Sequence, residues 1–167
     1  RQAGYEADDL IGTLARKAER AGYDVVIVTG DKDMFQLLTP HVRIYDPVKD
    51  KWSGETECRE RFGVEPARVV EIMGLMGDAT DNIPGVKGIG EKTAMKLIAQ
   101  FGTIEELLRR VEEVTPPRIK ALLIDQEPRD RDHMAIGHGC KHLPAPARPS
   151  TPEVRVLTAR STPCSSH

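Results

Sequence analysis

The sequence predicts an α/β layer with parallel strands, followed by a small all-helical module. Three observations carry this. Helical and strand-like patterns alternate through the first part of the chain. Val25 to Val28 is an unbroken β-branched run with the length and continuity of a strand buried on both faces. From Pro66 onward the strand pattern stops, and helical stretches follow one another between glycines and prolines.

Glu6 to Ala21 reads as a helix, because Leu10, Leu14 and Ala18 recur at helical spacing with Ile11 and Ala15 beside them. Gly22 stops it, in the place usual for a left-handed C-terminal residue. Asp24 to Thr29 is the first strand, and Gly30-Asp31-Lys32-Asp33 is a loop. A helix is expected to start within Met34 to Leu38, and Val42 to Tyr45 is a second strand before a polar turn at Asp46-Pro47. Pro66 to Met76 is apolar and helical, with its proline near the first turn. Glu91 to Phe101 places Ala94, Leu97, Ile98 and Phe101 on one side, and Gly102 ends it. Thr103 is the expected N-cap of the next helix, with Glu106 three residues on. Pro116-Pro117 precedes a last helix, Arg118 to Gln126. The domains expected are therefore 1–65 and 66–127. Residues 128–167 hold six of the twelve prolines and four of the five histidines without any apolar period, and are expected to lack regular structure.

Composition sets outer bounds. With 39% hydrophobic and 30% charged residues in 167, the chain has the balance of a soluble globular protein with one core's worth of apolar material. Val25 to Val28 is its longest aliphatic run, too short for a bilayer. Cys58, Cys140 and Cys164 are odd in number and widely spaced, which argues against a disulfide scaffold or zinc ribbon and for a reducing cytoplasm. The formal charge of −2 does not advertise nucleic-acid binding, so any such reading rests on local arrangement. The first residue is Arg1 rather than Met, which reads as a chain processed or excised from something longer.

Closely spaced carboxylates recur at the edges of elements: Glu6, Asp8 and Asp9; Asp31 and Asp33; Asp78 and Asp81. Asp31 and Asp33 follow a strand after one glycine, and the crevice at strand carboxyl ends is where open α/β sheets bind ligands. Each group also has a plain structural role open to it. Acids are favoured at a helix N-terminus, and Asp forms caps and turns. Together they pose a physical problem. Two carboxylates about 4 Å apart repel by roughly 4 kcal/mol at an effective dielectric of roughly 20. Seven converging on one site need a cation among them or must in part be protonated. Oxygen donors without nearby histidine or cysteine favour Mg²⁺ or Mn²⁺ over zinc, and several carboxylates can hold two such ions for phosphodiester hydrolysis.

The stretch Asp81-Asn82-Ile83-Pro84-Gly85-Val86-Lys87-Gly88-Ile89-Gly90-Glu91-Lys92-Thr93-Ala94 is the most informative in the chain. Gly85, Gly88 and Gly90 permit positive φ and close approach of backbone to a ligand. The loop runs into a helix start, which is ready to accept a phosphate, with Lys87, Lys92 and Lys96 nearby. Such contacts hold a sugar-phosphate backbone without reading sequence. The alternative is a tight helix–helix connection. The spacing is not that of a Walker A loop, nor of a dinucleotide-binding fingerprint, since no strand precedes it.

Gly4-Tyr5-Glu6-Ala7-Asp8-Asp9, Val28-Thr29-Gly30-Asp31-Lys32-Asp33 and Gly77 to Gly90 together, in order and spacing, closely resemble the 5′-nuclease (flap endonuclease) family. The resemblance is strongest to the 5′→3′ exonuclease domain of bacterial DNA polymerases and covers about Gly4 to Gln126. It implies a partial PIN-like (Rossmann-like) parallel sheet with helices, then a helix–hairpin–helix-type DNA-binding module. It implies metal ligation by Glu6, Asp8, Asp9, Asp31, Asp33, Asp78 and Asp81, with Asp8, Asp9, Asp31 and Asp33 catalytic. Gly85, Lys87, Gly88, Gly90, Lys92, Thr93 and Lys96 are the implied DNA-contacting residues. The cofactors implied are two Mg²⁺ or Mn²⁺ ions and a K⁺ ion at the hairpin. The implied partners are duplex DNA with a 5′ flap or nick and the polymerase part of the same parent chain. The implied task is flap and primer removal in bacterial replication and repair. The family has an upstream first strand with a metal-binding Asp, and a helical arch, neither found here. The core is thus expected to be N-terminally incomplete, and residues 128–167 to be non-native.

The remaining residues are read plainly. His133, His138, Cys140 and His142 match no closed zinc pattern. Tyr45 and Trp52 are expected as packing residues rather than base-stacking platforms, Lys32 as a loop lysine or phosphate contact, and Cys58 as a partly buried small residue. Residues 1–127 contain one histidine, His41, so no Ser-His-Asp or Cys-His constellation competes there. Two rival readings stand beside the nuclease: an inactive DNA-binding fragment using only the hairpin, and a PIN-type ribonuclease, against which the hairpin argues.

Overall fold

The computed structural model describes residues 7–78, 83–125 and 155–158, with the backbone alone at 78, 83–84 and 155–158. It divides into two compact units, one reaching to Glu55 and including 155–158, the other beginning at Thr56.

In the first unit, α1 (Ala7–Arg20) carries Asp8 and Asp9 in its first turn and Lys17 and Arg20 in its last, matching the helix dipole at both ends. Ile11, Ala15 and Ala18 form its buried face. Gly22 has φ of 87°, and the Tyr23 N–H returns to the Ala18 carbonyl at 3.1 Å, closing the helix as expected. Strand β1 (Val25–Val28) follows, but only Val25 and Ile27 are buried, while Val26 and Val28 are half-buried. The expectation of burial on both faces is thus corrected. A continuous β-branched run reflects strand preference as much as two-sided burial. Lys32–Leu37 is a 3-10 helix, where an α-helix was expected. Short helical stretches between loops are commonly 3-10, and Pro40 stops this one from extending. Met34, Phe35 and Leu37 point into the core.

Strand β2 (Val42–Asp46) lies parallel to β1, with Val25 opposite Val42 and Val28 opposite Tyr45. Strand β3 (Lys51–Ser53) pairs antiparallel with β2 and makes the sheet mixed. Three residues are too short to show a strand period in sequence. The sheet order is β3-β2-β1-β6, where β6 (Arg155–Thr158) runs parallel to β1 with Val25 opposite Arg155. A segment expected to be irregular therefore supplies a strand. Arg-Val-Leu-Thr is short but β-prone, and the open edge of β1 offers it a row of backbone partners. The rest of the expected tail lies outside the described residues.

In the second unit, α2 (Glu55–Phe62) buries Cys58 and Phe62. Cys58 is fully rather than partly buried, and its thiol sits 3.7 Å from the Val64 carbonyl. A 3-10 turn at Pro66–Arg68 opens α3 (Val69–Met76), which is buried nearly all round. Helix α4 (Glu91–Phe101) packs on α3 through Ala94, Leu97, Ile98 and Phe101, the face expected from its spacing. Thr103 caps α5 (Ile104–Arg109) by accepting the Glu106 N–H at 3.1 Å. The buried Glu71 of α3 accepts the Ile104 N–H at 3.1 Å, and Arg68 donates to the Gly102 carbonyl at 3.0 Å. Both ties fix the α4–α5 corner. Helix α6 (Pro117–Asp125) is anchored by the fully buried Leu123.

Candidate functional site

The acidic residues of the first unit collect by topology. The connection from α1 to β1 spans residues 21–24, so the helix must run back along the strand it packs on. Its first turn, with Asp8 and Asp9, therefore lies toward the carboxyl end of β1, where Asp31 and Asp33 follow. Asp8, Asp9 and Asp33 are half-buried, Asp31 is exposed, and one carboxylate oxygen of Asp33, Oδ1, is buried. Asp31 caps the 3-10 helix: its Oδ1 accepts the Asp33 N–H at 2.9 Å, while its own N–H donates to Thr29 Oγ1 at 3.1 Å. The plain capping role is thus real, and it leaves Oδ2 of Asp31 outside the cap.

Among the described residues, no three His, Cys, Asp or Glu side chains are close enough together to hold one metal ion. Convergence of Asp8, Asp9, Asp31 and Asp33 into one cluster is not what this structure shows. The donor chemistry, oxygen only, still fits a hard divalent ion. Strands β4 (Gly77–Asp78) and β5 (Ile83–Pro84) pair antiparallel, placing the Asp78 backbone opposite Ile83 in the second unit. Glu6, Asp81 and the histidine–cysteine group around Cys140 lie outside the described residues.

Sequence reading passed over one carboxylate near this end of the sheet. Asp46 closes β2, and its Oδ2 would lie 3.6 Å from a Cβ at Gly30. It binds the Lys49 ammonium at 2.8 Å and the Val48 and Lys49 N–H groups at 3.0 and 3.2 Å. The Lys49 hydrogen bond, ahead of the two backbone donors, holds its carboxyl below the usual range. These bonds make it a turn-forming residue, and only the Asp-Pro dipeptide signals it in sequence. Beyond that turn, Tyr45 and Trp52 do pack together, ring centroids 4.9 Å apart, with the Arg43 guanidinium 4.9 Å from the Trp52 centroid. They do so on the surface, Trp52 being 45% exposed.

The glycine-rich stretch is built quite differently. Val86 and Ile89 are buried, and between them the Ile89 N–H returns to the Val86 carbonyl at 3.0 Å. Gly88 has φ of 95° at the third position of that turn, as a type II turn requires. The Val86 N–H donates to the Leu75 carbonyl at 2.9 Å, fastening the turn to α3. A Cβ at Gly85 would overlap the Met76 carbonyl and the Gly77 nitrogen, so only glycine fits there. Gly90 is otherwise: its φ is −95° and a Cβ would meet open space. Of the three glycines expected to permit positive φ, only Gly88 adopts it; Gly85 is required by crowding against the chain's own backbone, and Gly90 on neither ground. Gly90 is the N-cap of α4, no side chain caps that helix, and its carbonyl takes the Thr93 N–H at 2.9 Å. Lys87, Lys92 and Lys96 are exposed and Thr93 is half-buried, with Lys92 and Lys96 one turn apart on α4. The geometry offers an anion an open helix N-terminus flanked by lysines.

Residues 1–63 match the N-terminal resolvase-like domain of the 5′-3′ exonuclease, and residues 64–133 match its C-terminal SAM fold. The chain belongs to the 5′-3′ exonuclease family. The expected order of an α/β half before a helical half is borne out, although the sheet, expected parallel, is mixed. DNA polymerase I of Bacillus caldotenax is 47% identical over 124 residues, covering 71% of this chain and 14% of that protein. The thermostable DNA polymerase I of Thermus filiformis is 49% identical over 117 residues, 70% of this chain and 14% of that one. The chain thus spans about 14% of the polymerases it matches. Among solved structures, T5 5′-exonuclease with bound divalent metal ions aligns with a TM-score of 0.66 at 23% identity, covering 78% of this chain and 47% of its own. The catalytic core of Rad2 with DNA substrate aligns at 0.53 and 18% identity, covering 88% and 51%. These structural likenesses support the fold. No helix among the described residues is long and apolar enough to cross a membrane.

Proposed function

We propose that this exonuclease-family chain is part of a metal-dependent 5′→3′ exonuclease and 5′-flap endonuclease, hydrolysing DNA phosphodiester bonds in replication and repair. The observation that carries the reading is the pair of family matches, which meet between residues 63 and 64 and together cover residues 1–133. Residues 1–65 are assigned as the nuclease portion and 66–127 as the DNA-binding module, within a longer polymerase of the bacterial cytoplasm. The duplex would lie against the turn Val86–Ile89 and the start of α4, with Gly85, Gly88 and Gly90 shaping the backbone. Lys87, Lys92, Thr93 and Lys96 would face phosphates, and K⁺ would sit at the same turn. The divalent ions, two Mg²⁺ or Mn²⁺, would be held by Asp8, Asp9, Asp31 and Asp33, joined by Glu6, Asp78 and Asp81. Bound there, they would supply Lewis acidity for hydrolysis. Asp31 would keep its loop in place through the cap while presenting Oδ2 to the ion.

The test is release of a labelled 5′ flap from a duplex by the full chain, with Mg²⁺, with Mn²⁺ and with chelator. Metal-dependent release is expected. No release under any condition, with duplex binding retained and weakening as salt rises, would replace the nuclease by a DNA-binding fragment.

A further inference from the structure

We propose that Leu122 of α6 is a positioning residue that holds the hairpin turn in its phosphate-accepting form. This rests on the reading of the turn as a duplex grip. Val86 and Ile89 tie the two ends of the turn into the core, and the Val86 N–H is fixed to Leu75. Lys87 and Gly88, between them, are exposed. A turn anchored only at its ends can flip its central peptide between the type I and type II forms, which reverses the direction of one N–H.

Leu122 stands at the Gly88 end of that peptide, on the side where a Cβ would project. A Cβ at Gly88 would meet Leu122 Cδ1 at 3.0 Å and Cδ2 at 4.0 Å. Leu122 itself is only half-buried, between the fully buried Leu123 and Ile124, which is 61% exposed. Leu123 holds the helix in place, and Leu122 reaches the turn. A smaller residue at 122 leaves the turn free to populate both forms. Apparent affinity for duplex then falls by the fraction of chains still in the competent form.

The experiment measures binding of the full-length chain to a plain DNA duplex at low salt, together with thermal unfolding. It compares wild type, Leu122→Ala, Leu122→Met, Gly88→Ala and the double variant Leu122→Ala with Gly88→Ala. Leu122→Ala should weaken binding about fivefold at temperatures where it is fully folded, and Leu122→Met should restore most of it. Gly88→Ala should cost less affinity in the Leu122→Ala background, because the new methyl then meets no side chain. Wild-type affinity in folded Leu122→Ala, or a Gly88→Ala penalty independent of residue 122, overturns the assignment and leaves the duplex grip standing. Failure of wild type itself to bind duplex overturns the grip instead.

Discussion

At the carboxyl end of β1, the candidate chemistry rests on side chains. Asp8, Asp9, Asp31 and Asp33 are brought to one end of a sheet, yet no three of them gather closely enough to ligate one ion. At the turn Val86–Ile89, the shape rests on backbone. Two buried side chains, one hydrogen bond to Leu75 and the positive φ of Gly88 define it. The difference is one of cost. Backbone geometry at the turn is fixed by sterics and apolar burial, which need no ligand. Carboxylates brought close together repel one another, so a cluster of them gains from a cation that offsets the repulsion. The turn is therefore shaped without a ligand, whereas the proposed acidic site would be completed by what it binds.

The largest effect expected from this contrast is at Gly85. Gly85→Ala puts a methyl group onto the Met76 carbonyl and the Gly77 nitrogen, and backbone cannot step aside as a flexible side chain can. A loss of roughly 3 kcal/mol or more in urea unfolding is expected, at the upper end of overpacking. A wild-type midpoint would show that the α3 end and the turn are not locked together as described.

Asp31 sharpens the other side of the contrast, because an observed cap and a proposed metal contact meet in one carboxylate. Asn caps a helix about as well as Asp, and Ala does not. Asp31→Asn should therefore keep stability within about 0.5 kcal/mol, whereas Asp31→Ala should lose about 1 kcal/mol. If Asp31 is a ligand, both should reduce flap cleavage by about a hundredfold or more, beyond what loss of an outer-shell partner costs, with duplex binding unchanged. If Asn restores cleavage along with stability, the cap is the whole role of Asp31.

How far each region was legible in sequence follows the same division. The helices α1 and α4, the strands β1 and β2 and the Thr103 cap were readable because apolar period and capping chemistry are local. Strand β3 was not, since three residues carry no period. Neither was β6, whose place depends on an edge far away in sequence. At the turn, glycine positions were visible, but which glycine is required depends on neighbours such as the Met76 carbonyl and Leu122. At the acidic end, residue types suggested a metal chemistry that the described side chains do not assemble by themselves. Asp46 shows the limit: it sits beside Gly30 like a ligand and is spent on Lys49 and its own turn.

Gly90 is where the smallest effect is expected, and its smallness is informative. It stands five residues from Gly85 in the same motif, with φ of −95° and open space where a Cβ would be. Gly90→Ala stiffens the unfolded chain, which stabilises by about 0.4–1 kcal/mol at a compatible site. It also replaces glycine by a poorer N-cap, which costs a similar amount. The two should nearly cancel, leaving unfolding within about 0.5 kcal/mol of wild type. Duplex affinity is the more telling measurement. If a phosphate approaches the N-terminus of α4 along Gly90, the methyl group stands in its way, and affinity falls although stability does not. If affinity is unchanged as well, the phosphate is met by the Lys87–Gly88 end of the turn, and the open start of α4 contributes charge rather than contact.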